Sequence, residues 1–178
     1  LKNVDVTMFY EDNKKIFSEK VKLWGEKANE HSTMSESELS CSIKHIEALN
    51  KISQGNAEFN LILEDDVIPK YTNFLEHITS FLEKPSEWDV LFIGEGMGEN
   101  YRKTEIGLRR LNPLKKTFKM PHPATNCLEA YIVKKSSVIT ILDELTPINL
   151  VIDWELAYQF YKKKILSDHS LCPQQSFI

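Results

Sequence analysis

Apolar positions recur along this chain in two alternating rhythms, one suited to strands and one to helices. Val4 to Tyr10 alternates apolar and β-branched residues and predicts a strand that exits at Glu11-Asp12-Asn13. Glu19 to Lys27 is polar and fits neither rhythm, although Val21, Leu23 and Trp24 can cover a small patch. Ser35 with Glu38 three residues on reads as a capping box. The helix it opens carries Leu39, Ile43, Ile46, Leu49 and Ile52 at three- and four-residue steps and stops near Gln54-Gly55. Leu61-Ile62-Leu63 is a short apolar run that predicts a strand buried on both faces, with Pro69 ending its pairing. Phe74, Leu75, Ile78, Phe81 and Leu82 form the apolar side of a further helix, closed by Pro85. Trp88 to Gly94 is another strand apolar on both faces, and Cys127 to Val133 also predicts a strand. Ser136-Ser137 opens a helix through Leu145, ended by Pro147. Asp153 suits the N-cap of a last helix through Lys164, with Leu156, Ala157, Phe160 and Tyr161 as its apolar residues, and Ile165 to Cys172 predicts a final short strand. This alternation argues for one α/β domain over residues 1–178 with a mainly parallel sheet.

Chemistry concentrates where the Leu61-Ile62-Leu63 strand ends. Glu64, Asp65 and Asp66 follow Leu63 directly. Consecutive carboxylates at the end of a buried strand repel one another and resist desolvation, an arrangement a cation relieves. Oxygen donors of this kind suit Mg²⁺ or Mn²⁺. In open α/β sheets, ligands bind beyond the carboxyl ends of strands, where these acids would lie. A solvated acidic turn is the plainer reading, and the residues alone leave the two level. His45 lies near the apolar face of its helix, where a histidine is more often packed than liganding. Gly94, Gly96 and Gly98 lead into Glu99-Asn100-Tyr101-Arg102 without the spacing of a phosphate-binding fingerprint and read as a flexible loop. Residues 103–126, with Pro113, Pro121 and Pro123, read as a long irregular segment of the sort that carries function or moves.

Composition narrows the classes. Among 178 residues, 42% are hydrophobic and 27% charged, which is ordinary for a soluble domain. A net charge of −4 argues against nucleic acid as a partner. Lys115, Lys116 and Lys119, and Lys162-Lys163-Lys164, are local basic runs that read first as solvated faces and second as contacts for phosphates or anionic headgroups. Cys41, Cys127 and Cys172 have no paired spacing, so a disulfide framework or structural zinc site is not expected and a reducing, cytoplasmic setting is. No apolar run approaches the ~18 residues of a spanning helix, which leaves peripheral contact as the expected limit of membrane association. The chain starts at Leu1, and an upstream segment is expected.

Several stretches together resemble family 25 glycosyltransferases, nucleotide-sugar-dependent enzymes of lipopolysaccharide and collagen-type glycosylation with a GT-A fold. They are Glu38 to His45, Leu61 to Val67, Asp89 to Gly94, Ala130 to Val133, and Pro147 through Asp153. The resemblance implies a GT-A-like, Rossmann-like sheet flanked by helices. It also implies an initial nucleotide-holding strand upstream of the one at Val4 to Tyr10, so that the chain given begins inside the domain.

The same resemblance implies an inverting, metal-dependent transfer of galactose or glucose from a UDP-sugar to a glycan or a hydroxylysine-type acceptor. Glu64 and Asp66, with His169, become the Mn²⁺ or Mg²⁺ ligands; Asp65, His45 and Gly94 fall on the donor side. Asp153, then Glu155, is the expected base, and the loop from Gly94 to Arg102 the acceptor side. Trp154 reads as a core tryptophan before a sugar-stacking one. The alternative is a non-catalytic sugar-nucleotide or carbohydrate-binding module of the same fold. Ser40 and Lys44 favour it, because the family usually has Gly and Ser there. A phospho-acceptor signalling domain is a poorer rival, since Asp89 begins its strand instead of ending it.

Overall fold

The computed structural model describes residues 7–8, 14–24, 34–69, 72–83, 88–93, 128–165 and 167–168. Within them lie helices α1 (Lys14–Trp24), α2 (Glu36–Gln54), α3 (Phe74–Leu82), α4 (Lys135–Ile141) and α5 (Ile152–Lys163), with a 3₁₀ turn at Leu142–Glu144. The strands are β1 (Phe59–Leu63), β2 (Val90–Phe92), β3 (Ala130–Lys134) and β4 (Ser167–Asp168). The expected strand at Val4 to Tyr10 falls, apart from Thr7 and Met8, outside the described residues, as does the segment 103–126.

The strands form one sheet in the order β1-β3-β2-β4. β3 is antiparallel to both β1 and β2, with Ile62 opposite Tyr131 and Leu91 opposite Ile132. β4 is parallel to β2. The expectation of a mainly parallel sheet is therefore corrected among the described residues: two of the three pairings are antiparallel. The long connection from β2 returns the chain against the sheet's direction, and β3 enters between two strands that run the same way. β1, β2 and β4 still point in one direction, so their carboxyl ends share one edge.

Strand alternation sends side chains to two cores. Ile62, Val90, Phe92, Tyr131 and Val133 join Ile43, Ile46, Val138, Ile141, Leu156 and Phe160 on the face covered by α2, α4 and α5. Phe59, Leu61, Leu91, Ile93, Ala130 and Ile132 meet Trp88, Phe74 and Ile78 on the face covered by α3. Layers of helix on both sheet faces are the α/β arrangement expected of strands apolar on both sides. β1 meets that description only in part. It has one partner strand among the described residues, its residues are half-buried, and Leu63 is exposed. Its pairing ends before Pro69, because the chain turns at Asp65-Asp66.

α1 is an element the sequence pattern left open. Phe17, Val21 and Trp24 recur at i, i+4 and i+7 and pack on the α2 side of the core, whereas Leu23 points outward. α2 begins as expected: the Ser35 hydroxyl accepts from the Glu38 N–H at 3.3 Å, and the Glu38 carboxylate accepts from the Ser35 N–H at 2.7 Å. The Ser35 N–H, and then the Ser35 hydroxyl donating to the same carboxylate at 2.7 Å, hold the Glu38 carboxyl below the usual carboxylate range. Ser35→Ala should cost about 1 kcal/mol of stability, read from the midpoint of urea unfolding. At the other end Gly55 is extended (φ −74°, ψ 178°), so the helix stops there without using a glycine's left-handed freedom.

α5 differs from expectation at its start. Val151 is the N-cap and makes no side-chain cap bond; Asp153 sits inside the first turn, where its carboxylate still suits the helix dipole. At its far end Lys162 and Lys163 reach Glu144 at 2.7 and 2.9 Å, tying α5 to the 3₁₀ turn. The two lysines hold the Glu144 carboxyl down at about 2 from its ordinary 4.5. A depressed carboxyl contributes stability that is fully present above its unfolded value and fades as pH falls through the folded one. Wild type should therefore lose a small, salt-screened increment over Glu144→Gln between about pH 4.5 and pH 2, read by thermal melts. Two of the three lysines in this basic run are thus paired within the fold, which argues for its reading as a solvated face.

Candidate active site

The pleat of β1 decides where the three acids face. The Glu64 N–H still donates to the Glu129 carbonyl at 2.8 Å, so Glu64 continues the strand by one residue. Alternation then turns it to the same side as Ile62, toward α2. Asp65 and Asp66 lie in the turn beyond and are exposed.

On α2, Cys41 and His45 are one helical turn apart and share a face. Both meet Glu64. His45 Nε2 is 3.4 Å from Glu64 Oε1, and Cys41 Sγ lies 3.9 Å from the same oxygen. On its other side His45 Nδ1 is 3.1 Å from the Tyr131 hydroxyl, and the two rings stack with centroids 5.9 Å apart. An ionised carboxylate can only accept, so Nε2 carries a proton toward Glu64, and a singly protonated ring then accepts from Tyr131 at Nδ1. The His45 bond holds the Glu64 carboxyl below its ordinary value against the opposing effect of burial. Burial, then the Glu64 charge, pushes the Cys41 thiol up to about 11, with Asp153 adding to the rise and Lys44 opposing it. Burial also raises the Tyr131 phenol, which is fully enclosed.

His45 is therefore a buried partner of Glu64, 5% exposed, reaching from α2 to Glu64 at the end of β1 and to Tyr131 on β3. Its expected place on the donor side stands beside this packing: the ring is largely enclosed, and its two nitrogens face Glu64 and Tyr131. Asp153 is half-buried, accepts from the Trp154 N–H at 2.9 Å, and is near enough to Cys41 to act on its thiol. The structure thus brings Cys41, His45 and Glu64 together, and the Asp153 charge acts on the Cys41 thiol. Glu155 goes elsewhere: it is 5% exposed and accepts from Gln159 Nε2 at 2.8 Å within α5. Trp154, expected in the core, is 66% exposed beside Asp153, because its position in the first turn of α5 faces away from the apolar side. Gly94 and His169 lie outside the described residues, as do Cys127 and Cys172; Cys41 is a free thiol.

Tyr131 and Cys41 are the participants that sequence reasoning did not single out. The four-residue spacing of Cys41 and His45 was a local signal. The approach of Tyr131 across the sheet left none.

These same segments are what a known family shares. The sequence profile described as glycosyltransferase family 25 (LPS biosynthesis protein) matches residues 4–154. The chain belongs to glycosyltransferase family 25. The match takes in α2, the acidic turn and Asp153, and ends ahead of Glu155 and His169. No curated protein matches the chain. Family membership supports glycosyl transfer in general, with a sugar donor and an acceptor as its partners. No helix among the described residues is long and apolar enough to cross a membrane.

Proposed function

We propose that this family 25 member transfers a hexose, galactose or glucose, from a UDP-sugar to a glycan or hydroxylated protein side chain, with inversion at the anomeric carbon. The observation that carries this reading is the acidic turn at the carboxyl end of β1, on the edge shared by the ends of β2 and β4. The co-directional strands and two-sided helical cover are compatible with a GT-A-like domain. The family's description as an LPS biosynthesis protein favours a glycan acceptor.

Asp65 and Asp66 are exposed, oxygen-only donors, which is the chemistry a hard divalent cation such as Mn²⁺ or Mg²⁺ requires. Glu64 does not share that environment, since its carboxylate faces a thiol and an imidazole. The fit therefore rests on Asp66 with Asp65, and Glu64 anchors the strand end that presents them. When bound, such a cation supplies Lewis-acid neutralisation of the departing diphosphate. Asp153 is the base in this scheme: its carboxylate takes the proton of the acceptor hydroxyl as that oxygen attacks the anomeric carbon. Glu155 is too buried for the task in this arrangement. The exposed indole of Trp154, next in the chain, offers an apolar face on which an acceptor sugar can stack.

Release of UDP from UDP-galactose and UDP-glucose, measured with and without lipopolysaccharide-type glycan acceptors, tests the proposal. Acceptor-dependent release that falls in Asp153→Asn is expected. UDP binding with no turnover on either donor would select instead the non-catalytic module.

A further inference from the structure

Sulfur, nitrogen and oxygen donors converge between α2 and the end of β1 in a pattern that the sugar-transfer reading does not use. Cys41 Sγ, His45 Nε2 and Glu64 Oε1 all lie within 4.8 Å of one another. We propose that Cys41, His45 and Glu64 form a zinc-binding site, with water as the fourth ligand.

The geometry is close to what zinc requires. Ligand atoms held at ~2.0–2.3 Å from a tetrahedral zinc stand about 3.3–3.6 Å apart. His45 Nε2 and Glu64 Oε1 are already at 3.4 Å, Cys41 Sγ needs to approach Glu64 by a few tenths of an ångström from 3.9 Å, and with all three atoms within 4.8 Å of one another the Cys41–His45 pair closes by about an ångström at most. The donor set selects the metal class. A thiolate and an imidazole are poor ligands for Mg²⁺ or Ca²⁺ and good ones for zinc. Charge also balances, because one thiolate and one carboxylate neutralise a divalent ion in a half-enclosed place.

Support for the histidine is already built. A zinc-ligating imidazole usually donates its other N–H to a fixed acceptor, which sets the tautomer. Here Nδ1 faces the Tyr131 hydroxyl at 3.1 Å, and Tyr131 is wholly buried. On binding, the Cys41 thiol proton leaves to solvent, the ring proton moves from Nε2 to Nδ1, and Tyr131 turns from donor to acceptor. Cys41 and Glu64 are both half-buried, so one side of the site remains open to water. Three protein ligands with an open fourth position is the arrangement of zinc sites that act on a ligand, whereas structural sites are closed.

The test needs no sugar nucleotide, so its failure is separate from failure of the transferase reading. The 178-residue chain, stripped of metal, is given one equivalent of Co²⁺ and followed by absorption, then back-titrated with Zn²⁺. Tetrahedral d–d bands and a sulfur-to-cobalt charge-transfer band, both bleached by Zn²⁺, are expected. Cys41→Ser, checked as folded by circular dichroism, should lose the charge-transfer band. Tyr131→Phe should keep the band and bind zinc about 10- to 100-fold more weakly. Folded wild-type protein that shows no band would overturn the proposal. So would an unchanged band in Cys41→Ser, which would place the metal on Cys127 or Cys172.

Discussion

Asp66→Asn is expected to lower kcat/KM for hexose transfer by roughly 10²–10³-fold, the loss of ~3–4 kcal/mol of transition-state stabilisation. Asp66 is exposed in the turn after β1 and belongs to neither core cluster of the described residues. The substitution keeps the shape and removes the charge, so the thermal melt should stay where it was. The defect should deepen when Mn²⁺ is scarce and narrow as Mn²⁺ is raised. Full activity in the variant, under limiting metal, would remove the acidic turn from the mechanism. Loss of activity together with loss of fold would instead mean that the turn carries structure, contrary to its exposure.

Phe160→Ala should be the most damaging single truncation, at about 3–5 kcal/mol. Phe160 is fully buried between α5 and the sheet, in the cluster with Ile43, Ile46, Tyr131 and Val138. Its carbonyl also accepts from the Ile165 N–H at 2.9 Å, where the chain leaves α5 for β4. A domain of this size is stable by only ~5–15 kcal/mol, so the variant should unfold at a clearly lower urea concentration with a similar slope. Because α5 carries Asp153 and Trp154 in its first turn, any activity left should fall too. A loss below about 1 kcal/mol would mean that α5 is not packed as described.

Helix α2, strand β2 and the place of the acidic turn were legible because each rests on a local signal. The capping box, the three- and four-residue steps, and the uninterrupted Val90-Leu91-Phe92-Ile93 run report burial directly. α1 was not read, because only Phe17, Val21 and Trp24 of its residues pack inward and polar residues dominate the window. Strand direction was misjudged for a related reason. β3 carries the same apolar composition as β2, and nothing in Ala130-Tyr131-Ile132-Val133 states which way it runs between its neighbours.

The site shows the same division. Consecutive acids after an apolar run were visible, but their division was not: alternation along β1 turns Glu64 toward α2 and leaves Asp65 and Asp66 outward. That division depends on the strand continuing one residue past its last apolar side chain. The partnership of His45 with Tyr131, 86 positions away, is purely tertiary. Asp153 was expected as a cap, and a two-residue shift of the helix start placed it inside the first turn beside Trp154. Differences of one or two residues at helix starts are common, yet here they determine which side chain faces solvent.

The exposed acids at the end of β1 are proposed to hold a nucleotide-sugar through a divalent cation. Calorimetric titration of UDP into the chain, with and without Mn²⁺, tests this most directly. Binding that requires Mn²⁺ and disappears in Asp66→Asn is the predicted result. Binding of equal strength with and without the metal, or unchanged in Asp66→Asn, would contradict it.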